Sequence, residues 1–383
     1  MSLTQFTLGA RLRAADTGEP VAISVYAPAI PPLGGIAVTV DSDGDHIYLN
    51  ATDGNVTRAG TDRDGLDALA ALGATLTSPR RPLIVGAARD LAVLTALARA
   101  YPDTLASPVV GWWDERSDYP GTDAVHIATD AARRRWVLGV HPDLELDTAT
   151  WAQWLGIAST GPHLLLDLAR RTASGHTLPG LLGASVIDTA SWERYNARLK
   201  AGRPWWAKDS RSDAALGLIG RSHAAEWFDS IRLDDPLVAV AASHDGTVIP
   251  GTVRARKEGV AVIEADRPLS RLRVDSKIIG WLGEPIHAGR VEALSGTVTT
   301  ARIDTHSRLT ITIEGIPKRA TACKPGERVT LRPQRVDPHM QASARRLAAT
   351  GYHRDSNWIA GRGKPVARRG DVPLDVIVAA AED

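Results

Sequence analysis

The sequence contains few of the residues on which several classes of site depend. It has a single cysteine, Cys323, which excludes internal disulfides and cysteine-based zinc sites. It lacks a run of the ~18 apolar residues that a membrane-spanning helix needs. No apolar stretch follows the opening residues Met-Ser-Leu-Thr-Gln, as it would in a secretory leader. We therefore expect a reduced, cytoplasmic protein with no membrane partner.

The composition is typical of a soluble globular protein, with 44% hydrophobic and 23% charged residues. A chain of 383 residues is long enough for two or three domains. The net charge of +1 conceals a segregation of charge, because residues 316–370 carry a net charge of +10 and the remainder −9. Such segregation favours an anionic partner such as nucleic acid. The alternative is a solubilising tail.

Runs of β-branched and aromatic residues between Pro, Gly and Asp clusters predict strands in the first third of the chain. Apolar residues at helical spacing alternate with the later strands. The resulting order is β-β-β-α-β-α-β-α, and residues 1–20 are expected to add an edge strand at most. The predicted strands are residues 21–27, 35–40, 46–50, 81–86 and 108–113, and the predicted helices lie within 60–72, 90–101 and 122–136.

This order, together with two local motifs, resembles the ribonuclease H fold. Residues 60–72, GTDRDGLDALAAL, look like the entry to that family's first helix. Residues 109–132, VVGWWDERSDYPGTDAVHIATDAA, look like its last strand, loop and helix. The resemblance covers residues 21–136, about a third of the chain. It implies an α/β domain of a family that cleaves the RNA strand of RNA–DNA hybrids with two metal ions held by converging carboxylates.

The resemblance carries over only part of that carboxylate set. Asp67 falls at the position of the first-helix Glu, and Asp123 at that of the final Asp. The first-strand Asp is replaced by Tyr26-Ala27-Pro28, and Asp90 comes one or two residues after the position of the fourth-strand Asp. We therefore expect the fold without the catalysis, and no cofactor.

Two other interpretations of these carboxylates stay open. In the first, both residues stabilise helices. Asp67 lies near a helix start, where the helix dipole favours an acidic residue, and Asp123 follows Thr122 at the position of a helix N-cap. In an active nuclease, Asp67, Asp90 and Asp123, with Asp41, would instead bind Mg²⁺ or Mn²⁺.

Residues 141–233 are predicted to be helical. The pair 151–157 and 162–171 has the spacing of a helix-turn-helix, which occurs by chance in many helical proteins. Farther on, Trp205 and Trp206 are flanked by cations, including Lys208. An exposed tryptophan pair here would stack nucleic-acid bases, whereas a buried pair would anchor the loop.

An internal repeat marks residues 234–337. Gly251-Thr252-Val253 leads to residues 260–268, and Gly296-Thr297-Val298 leads to residues 309–317, with a proline at the same step of both copies. The duplication predicts two small β-barrels in tandem, of the size of oligonucleotide-binding or SH3-like barrels.

Residues 338–383 form a basic, glycine-rich arm in which aromatic residues alternate with cations, a composition that suits nucleic-acid strands. The leading hypothesis is thus a nucleic-acid-binding protein, with DNA, RNA or a hybrid as partner. The alternatives are an active metal-dependent nuclease and a structural subunit of a protein assembly. The candidate binding residues are Arg345, Arg346, Arg354, Trp358, Arg362, Lys364, Arg368 and Arg369 of the arm, with Trp205, Trp206 and Lys208.

Overall fold

The chain first forms a mixed sheet flanked by helices and later a closed β-barrel. The computed structural model describes residues 5–209, 211–289, 292–317 and 323–336. The sites discussed below lie in the larger of two compact units, which contains the chain up to Ala207 and resumes at His223. Within the described residues, no helix is both long enough and apolar enough to span a bilayer.

The elements are numbered in chain order. The helices are α1 Gln5–Thr17, α2 Arg63–Ala71, α3 Ala88–Ala100, α4 Ser107–Ser117, α5 Ala128–Arg135, α6 Thr148–Leu155, α7 Gly161–Thr172, α8 Gly183–Lys200, α9 Arg211–Arg232 and α10 Pro236–Ser243. The strands are β1 Val21–Ala22, β2 Ile36–Ser42, β3 Ile47–Thr52, β4 Thr57–Thr61, β5 Leu83–Val85, β6 Val125–Ile127, β7 Trp136–Val137, β8 Ile249–Lys257, β9 Val260–Ala265, β10 Lys277–Leu282, β11 Leu294–Ile303, β12 Leu309–Glu314 and β13 Arg328–Pro333.

The mixed sheet has the strand order β4-β3-β2-β5-β6. Strands β4, β3 and β2 are antiparallel, whereas β2, β5 and β6 are parallel. Strand β5 reads Leu-Ile-Val and is buried at every position, as expected of a parallel strand covered on both faces. Leu83 and Val85 face the core shared with α2, α3 and α4, while Ile84 faces α7.

The structure corrects two predicted strands. Residues 21–27 contain only the short strand β1, which pairs with β7 outside the mixed sheet. Residues 108–113 lie in helix α4, where Pro108 occupies the first turn. Proline is favoured there because its missing N–H has no intrahelical partner to lose. The buried residues Val109, Trp112 and Trp113 then follow a helical period rather than strand alternation.

Other expectations shift in the same region. The third antiparallel strand is β4, which the sequence did not predict because its Thr-Arg-Ala-Gly-Thr residues lie at an exposed sheet edge without apolar alternation. The predicted helix at 122–136 begins as strand β6 and becomes helical only at Ala128. The expected edge strand within residues 1–20 is helix α1. Over residues 36–135 the observed order is β-β-β-α-β-α-α-β-α.

Residues 249–333 form one closed barrel with strands in the order β10-β11-β12-β9-β8-β13. The predicted pair of small barrels is therefore wrong, although the repeat behind it is visible as two halves of three strands each. The two hairpins carry a register shift at the same step, between Val253 and Ala255 and between Val298 and Thr300. Helix α10 also separates the barrel from residue 234, where the all-β region was expected to begin.

The two barrel halves interlock. Strand β10 pairs with β11 and β13, which both belong to the other half, and β13 likewise pairs with β8 and β10. The first strand of each half needs a glycine, because a Cβ on Gly251 or on Gly296 would lie 2.5 Å from the carbonyl oxygen of Glu264 or Glu314. These two glutamates are therefore structurally equivalent, and they lie 50 positions apart in the chain. The sequence repeat had instead matched residues 260–268 with residues 309–317, which are 49 positions apart.

The barrel is fastened to the end of α9 by one buried arginine. Arg332 in β13 lies 2.6 Å from the carboxylate of Asp234 and donates a hydrogen bond of 2.9 Å to the Ser230 carbonyl. Arg335 binds the same carboxylate from a more exposed position. Both charges of the Arg332–Asp234 pair are nearly inaccessible to solvent, so this contact needs both partners.

Candidate functional site

Asp123, a candidate catalytic residue, belongs to a buried group of four charges. Its carboxylate accepts two hydrogen bonds from Arg80, at 2.6 and 2.9 Å. Its backbone N–H donates to Asp188 Oδ2 at 2.8 Å, and Asp188 Oδ1 lies 2.5 Å from Arg116 Nη2. We call these four residues the Asp123–Asp188 cluster. It joins the loop before β6 to helices α4 and α8.

Burial has opposite outcomes for the two carboxyls of this cluster. It acts to raise the pKa of Asp123 and is the largest single influence, but the hydrogen bonds and charge of Arg80 together with hydrogen bonds from Asp188 and Ser185 hold that pKa below its ordinary value. Burial raises the pKa of Asp188 to about 6, against the opposing charge of Arg116. Asp188 faces Asp123 closely, so ionising both carboxyls is unfavourable. The cluster holds the loop before β6 against helices α4 and α8.

The remaining candidate carboxylates do not gather around Asp123. Asp67 is exposed on α2, where its charge acts on Arg63. Asp90 accepts a hydrogen bond from the Ala87 backbone at the start of α3, at 2.8 Å. Burial raises the pKa of Asp90, and the charge of Asp41 on β2 adds to this effect.

The charge of Asp41 thus acts on Asp90. Asp41 lies in the first strand of the mixed sheet, where sequence reasoning had placed Tyr26-Ala27-Pro28. Across the described residues, no group of three or more His, Cys, Asp or Glu side chains is arranged to hold a metal ion.

The tryptophan pair has one partly buried and one exposed ring. Trp205 packs against Gly111 of α4, where any side chain would collide with the indole, and its Nε1 points to the Pro102 carbonyl at 3.5 Å. Trp206 is 53% exposed and meets Trp205 edge-on. Lys208 is exposed as well.

Trp205 is therefore the anchor and Trp206 the free ring of this pair. The predicted arm residues lie outside the described part of the chain, namely Arg345, Arg346, Arg354, Trp358, Arg362, Lys364, Arg368 and Arg369.

A groove that the sequence did not predict lies where α5, α6 and α7 meet strand β7. Its volume is about 880 Å³. Two arginines, Arg135 and Arg171, and two tryptophans, Trp136 and Trp154, contribute to its walls, with Glu19 at one side. Both indoles pack on one side against the cluster of buried residues that includes Trp151 and Leu168. We call this feature the Arg135–Arg171 groove.

Arg135 holds the end of helix α7. Its Nη1 donates to the carbonyls of Arg171 and Thr172, at 3.0 and 2.6 Å. These carbonyls carry the negative end of the helix dipole. The guanidinium also lies 4.7 Å from the centre of the Trp136 ring, within the range of a cation–π contact. Burial lowers the pKa of Arg135, and the positive charge of Arg171 lowers it further.

Arg171 is the exposed cation of the groove. Among the described residues, no carboxylate forms an ion pair with it, whereas its neighbour Arg170 pairs with Asp167 at 3.0 Å. The groove therefore contains two guanidinium groups that repel each other, and one acidic side chain, Glu19, on its wall. A bound anion would relieve this repulsion, and guanidinium groups bind phosphate well because their N–H groups match its oxygens.

A second concave region contains two arginines that are already paired. It has a volume of about 530 Å³ and is lined in part by Arg58, Arg80 and Arg81. Arg80 is held by Asp123, and Arg81 donates to the Leu72 carbonyl at 2.6 Å and to Asp53 at 3.4 Å. Among the described residues, Arg58 is therefore the one arginine of this region without an ion-paired carboxylate, and it has no second unpaired guanidinium beside it as Arg171 has.

Sequence reasoning missed the groove because each of its residues has an ordinary local explanation. Arg135 ends a helix, where basic residues are favoured. Trp154 belongs to the helix pair with helix-turn-helix spacing, and that pair is present as α6 and α7. In the structure, the second helix of this pair, α7, uses Leu165, Leu166 and Ala169 to pack against the mixed sheet. The sequence signal for the groove is the dipeptide Arg135-Trp136 at the end of α5 and the dipeptide Arg170-Arg171 at the end of α7.

Comparisons of this chain with protein-family models, curated protein sequences and solved structures find no match. The functional interpretation therefore depends on the geometry of the chain itself.

Proposed function

We propose that this protein binds nucleic acid, with the Arg135–Arg171 groove as a contact for the phosphate backbone and bases. The observation that carries the proposal is the meeting of two guanidinium groups and two indoles in one open groove. The excess positive charge favours phosphate, and the indoles offer apolar surfaces to bases. The net charge of +10 in residues 316–370 supports the same class of partner.

We further propose that the mixed sheet is a degenerate ribonuclease H-like domain. In support, residues 36–135 follow the expected succession of elements with helix α4 added, although β4 and β6 replace the strands predicted at residues 21–27 and 108–113. The proposal is for binding without cleavage, because the candidate carboxylates have other partners. Asp123 is neutralised by Arg80, and Asp67 lies on an exposed helix face beside Arg63.

The test measures fluorescence anisotropy of labelled single-stranded DNA, single-stranded RNA, duplex DNA and RNA–DNA hybrid with the full-length protein. We expect the logarithm of the binding constant to fall linearly with the logarithm of the salt concentration. Affinity that does not respond to salt would contradict the proposal. Running the hybrid samples with Mn²⁺ on a denaturing gel examines the nuclease alternative, which predicts cleavage that Asp123→Asn abolishes.

The matched variants are Arg171→Glu and Arg170→Glu, because they change the total charge equally at adjacent exposed positions of one helix. Arg170 is paired with Asp167, whereas Arg171 lines the groove. We expect Arg171→Glu to weaken binding about tenfold or more and to reduce the salt slope by about one. Equal effects of the two variants would show that binding depends on general charge and not on the groove.

A further inference from the structure

The two tryptophans of the Arg135–Arg171 groove are not equivalent. The guanidinium of Arg135 lies over the Trp136 ring, with 4.7 Å between the guanidinium carbon and the ring centre. Trp136 also pairs through its backbone with Ala22 of β1. Trp154 has no aromatic or cationic partner among the described residues, although it lines the same groove and packs on the core behind it. Trp154 is thus the free ring.

The two arginines are not equivalent either. Arg135 is partly occupied by the carbonyls at the end of α7, where it balances the negative helix terminus. Arg171 is exposed in the groove, and its nearest acidic neighbour on the groove wall is Glu19. A phosphate is therefore attracted toward Arg171 and repelled by Glu19. Glu19 and Gln153 remain as polar groups for the sugar or the edge of a base.

A base in a duplex hides both faces against its neighbours, so an indole in a groove cannot stack on it. An unpaired base exposes its faces and can stack on an aromatic side chain, which is why single strands are bound by aromatic platforms next to cations. The groove volume of about 880 Å³ lies in the range of sites that enclose one small organic ligand. It is concave and does not offer the extended surface that a duplex backbone would cover.

We propose that the groove takes an unpaired nucleotide of a single strand, with its base stacked on Trp154 and its phosphate paired with Arg171. This inference rests on the proposed nucleic-acid binding and makes it specific. It assigns Trp136 and Arg135 to the wall that holds these two side chains in place. The nucleic acid contributes only the chemistry that DNA and RNA strands share, namely a planar base and a phosphate.

The experiment uses the full-length protein and three variants that separate stacking from folding. Trp154→Leu removes the aromatic face, Trp154→Phe keeps a ring, and Tyr48→Leu removes an exposed aromatic ring outside the groove. Thermal unfolding of each variant verifies that it is folded. The probes are a labelled 12-nucleotide single strand and a blunt duplex of the same sequence, with a nucleoside monophosphate and inorganic phosphate as competitors.

We expect Trp154→Leu to weaken single-strand binding by about 5- to 150-fold, the range measured for loss of one base–aromatic stack. Trp154→Phe should keep most of the affinity, and Tyr48→Leu should leave it unchanged. Binding of the blunt duplex should be weaker than that of the single strand and insensitive to Trp154. The monophosphate should compete at lower concentration than inorganic phosphate, because it supplies the base as well.

Several results would overturn the inference. One is a duplex bound as tightly as the single strand with a dependence on Arg171 but not on Trp154, which would leave the proposed nucleic-acid binding intact. Another is equal competition by inorganic phosphate and the monophosphate, which would show that the groove reads phosphate alone. If no nucleic acid binds with any dependence on the groove, the proposed function fails together with the inference.

Discussion

Two pairs of arginines show how differently the same side chain is used in this protein. Arg80 and Arg116 lie in the Asp123–Asp188 cluster, where two guanidinium groups meet two carboxylates and little solvent reaches them. Arg135 and Arg171 lie in a groove where two guanidinium groups meet without an ion-paired carboxylate among the described residues. In the first, closed arrangement each guanidinium is paired with a carboxylate. In the second, open arrangement the guanidinium of Arg171 is available to a ligand.

Charged residues of this protein differ as candidates for function according to whether their charge is already paired. Asp123 was a candidate catalytic residue because of its match to a family motif, but in the structure its charge is neutralised by Arg80 at 2.6 Å. Arg171 was not a candidate, yet it is exposed beside Arg135, and its charge lowers the pKa of Arg135. Charges that repel each other in a groove are better candidates for binding than charges that are already paired.

The largest effect is expected from breaking the closed arrangement. Arg116→Ala removes the partner of Asp188, whose side chain is wholly buried. We expect the free energy of unfolding in urea to fall by about 3–5 kcal/mol, because a buried carboxyl loses its counter-charge. The control is Arg254→Ala on the barrel, which breaks an exposed ion pair with Glu264. It should cost far less, because an exposed ion pair is screened by solvent, and a similar loss in both variants would contradict the distinction.

The next effect is a pH dependence that belongs to the same cluster. Asp188 has a pKa of about 6 in the folded protein and an ordinary value near 3.8 when unfolded. Between these values the folded state keeps a proton that the unfolded state has lost, so stability falls as the pH rises. We expect Asp188→Asn to remove this contribution. The difference in unfolding free energy, wild type minus variant, should decrease by about 1–2 kcal/mol from pH 4 to pH 6.

The comparison with a variant is needed because His126 acts in the opposite direction. Burial lowers the pKa of His126 to about 4, and the charge of Arg134 adds to this effect. The unfolded state therefore binds a proton between pH 6.5 and 4 that the folded state refuses, so stability falls as the pH falls. His126→Asn should remove that loss. A difference profile for Asp188→Asn that rises with pH would contradict the assignment to Asp188.

A smaller effect is expected from closing the open arrangement with a charge of opposite sign. Arg171→Glu should weaken binding of a labelled single strand about tenfold, or about 1.4 kcal/mol, since it replaces a phosphate partner by a group that repels phosphate. Arg170→Glu serves as its control on the same helix. Anisotropy titrations at several salt concentrations give both the affinity and its salt slope.

The smallest effect is the stability change of Arg171→Ala. Because Arg171 lacks an ion-pair partner among the described residues and raises the electrostatic energy of Arg135, its removal should change the unfolding free energy by no more than about 0.5 kcal/mol. Urea titration is the measurement. A loss as large as that of Arg116→Ala would mean that Arg171 supports the fold and is not free for a ligand.

The repeat in the barrel could be predicted from the sequence because it includes glycines that the backbone geometry requires. Gly251 and Gly296 each allow a close approach to the neighbouring strand that no other residue permits. Strand β4 and helix α4 could not be found in this way. The first is a polar edge strand, and the second contains β-branched and aromatic residues that also suit a strand.

The groove was beyond sequence reasoning for a different reason. Trp136 and Trp154 come together because β7 pairs with β1 and because α6 and α7 pack beside α5. These contacts are tertiary, and no spacing along the chain encodes them. Asp123 was predicted as a site because acidic residues after a turn occur in both catalytic motifs and structural clusters. Only its contact with Arg80 separates the two.

The interlocked barrel also constrains the order of events as the chain is synthesised. The strands of the mixed sheet are complete once residue 127 has been made, so that sheet has all its partners early. Strand β8 pairs with β13, whose residue Leu331 meets Ile249 about 80 residues later in the chain. Both partners of β10, too, follow it in the sequence. The barrel therefore closes only after β13 has been made, and until residue 333 emerges from the ribosome its unpaired strand edges are exposed to neighbouring chains.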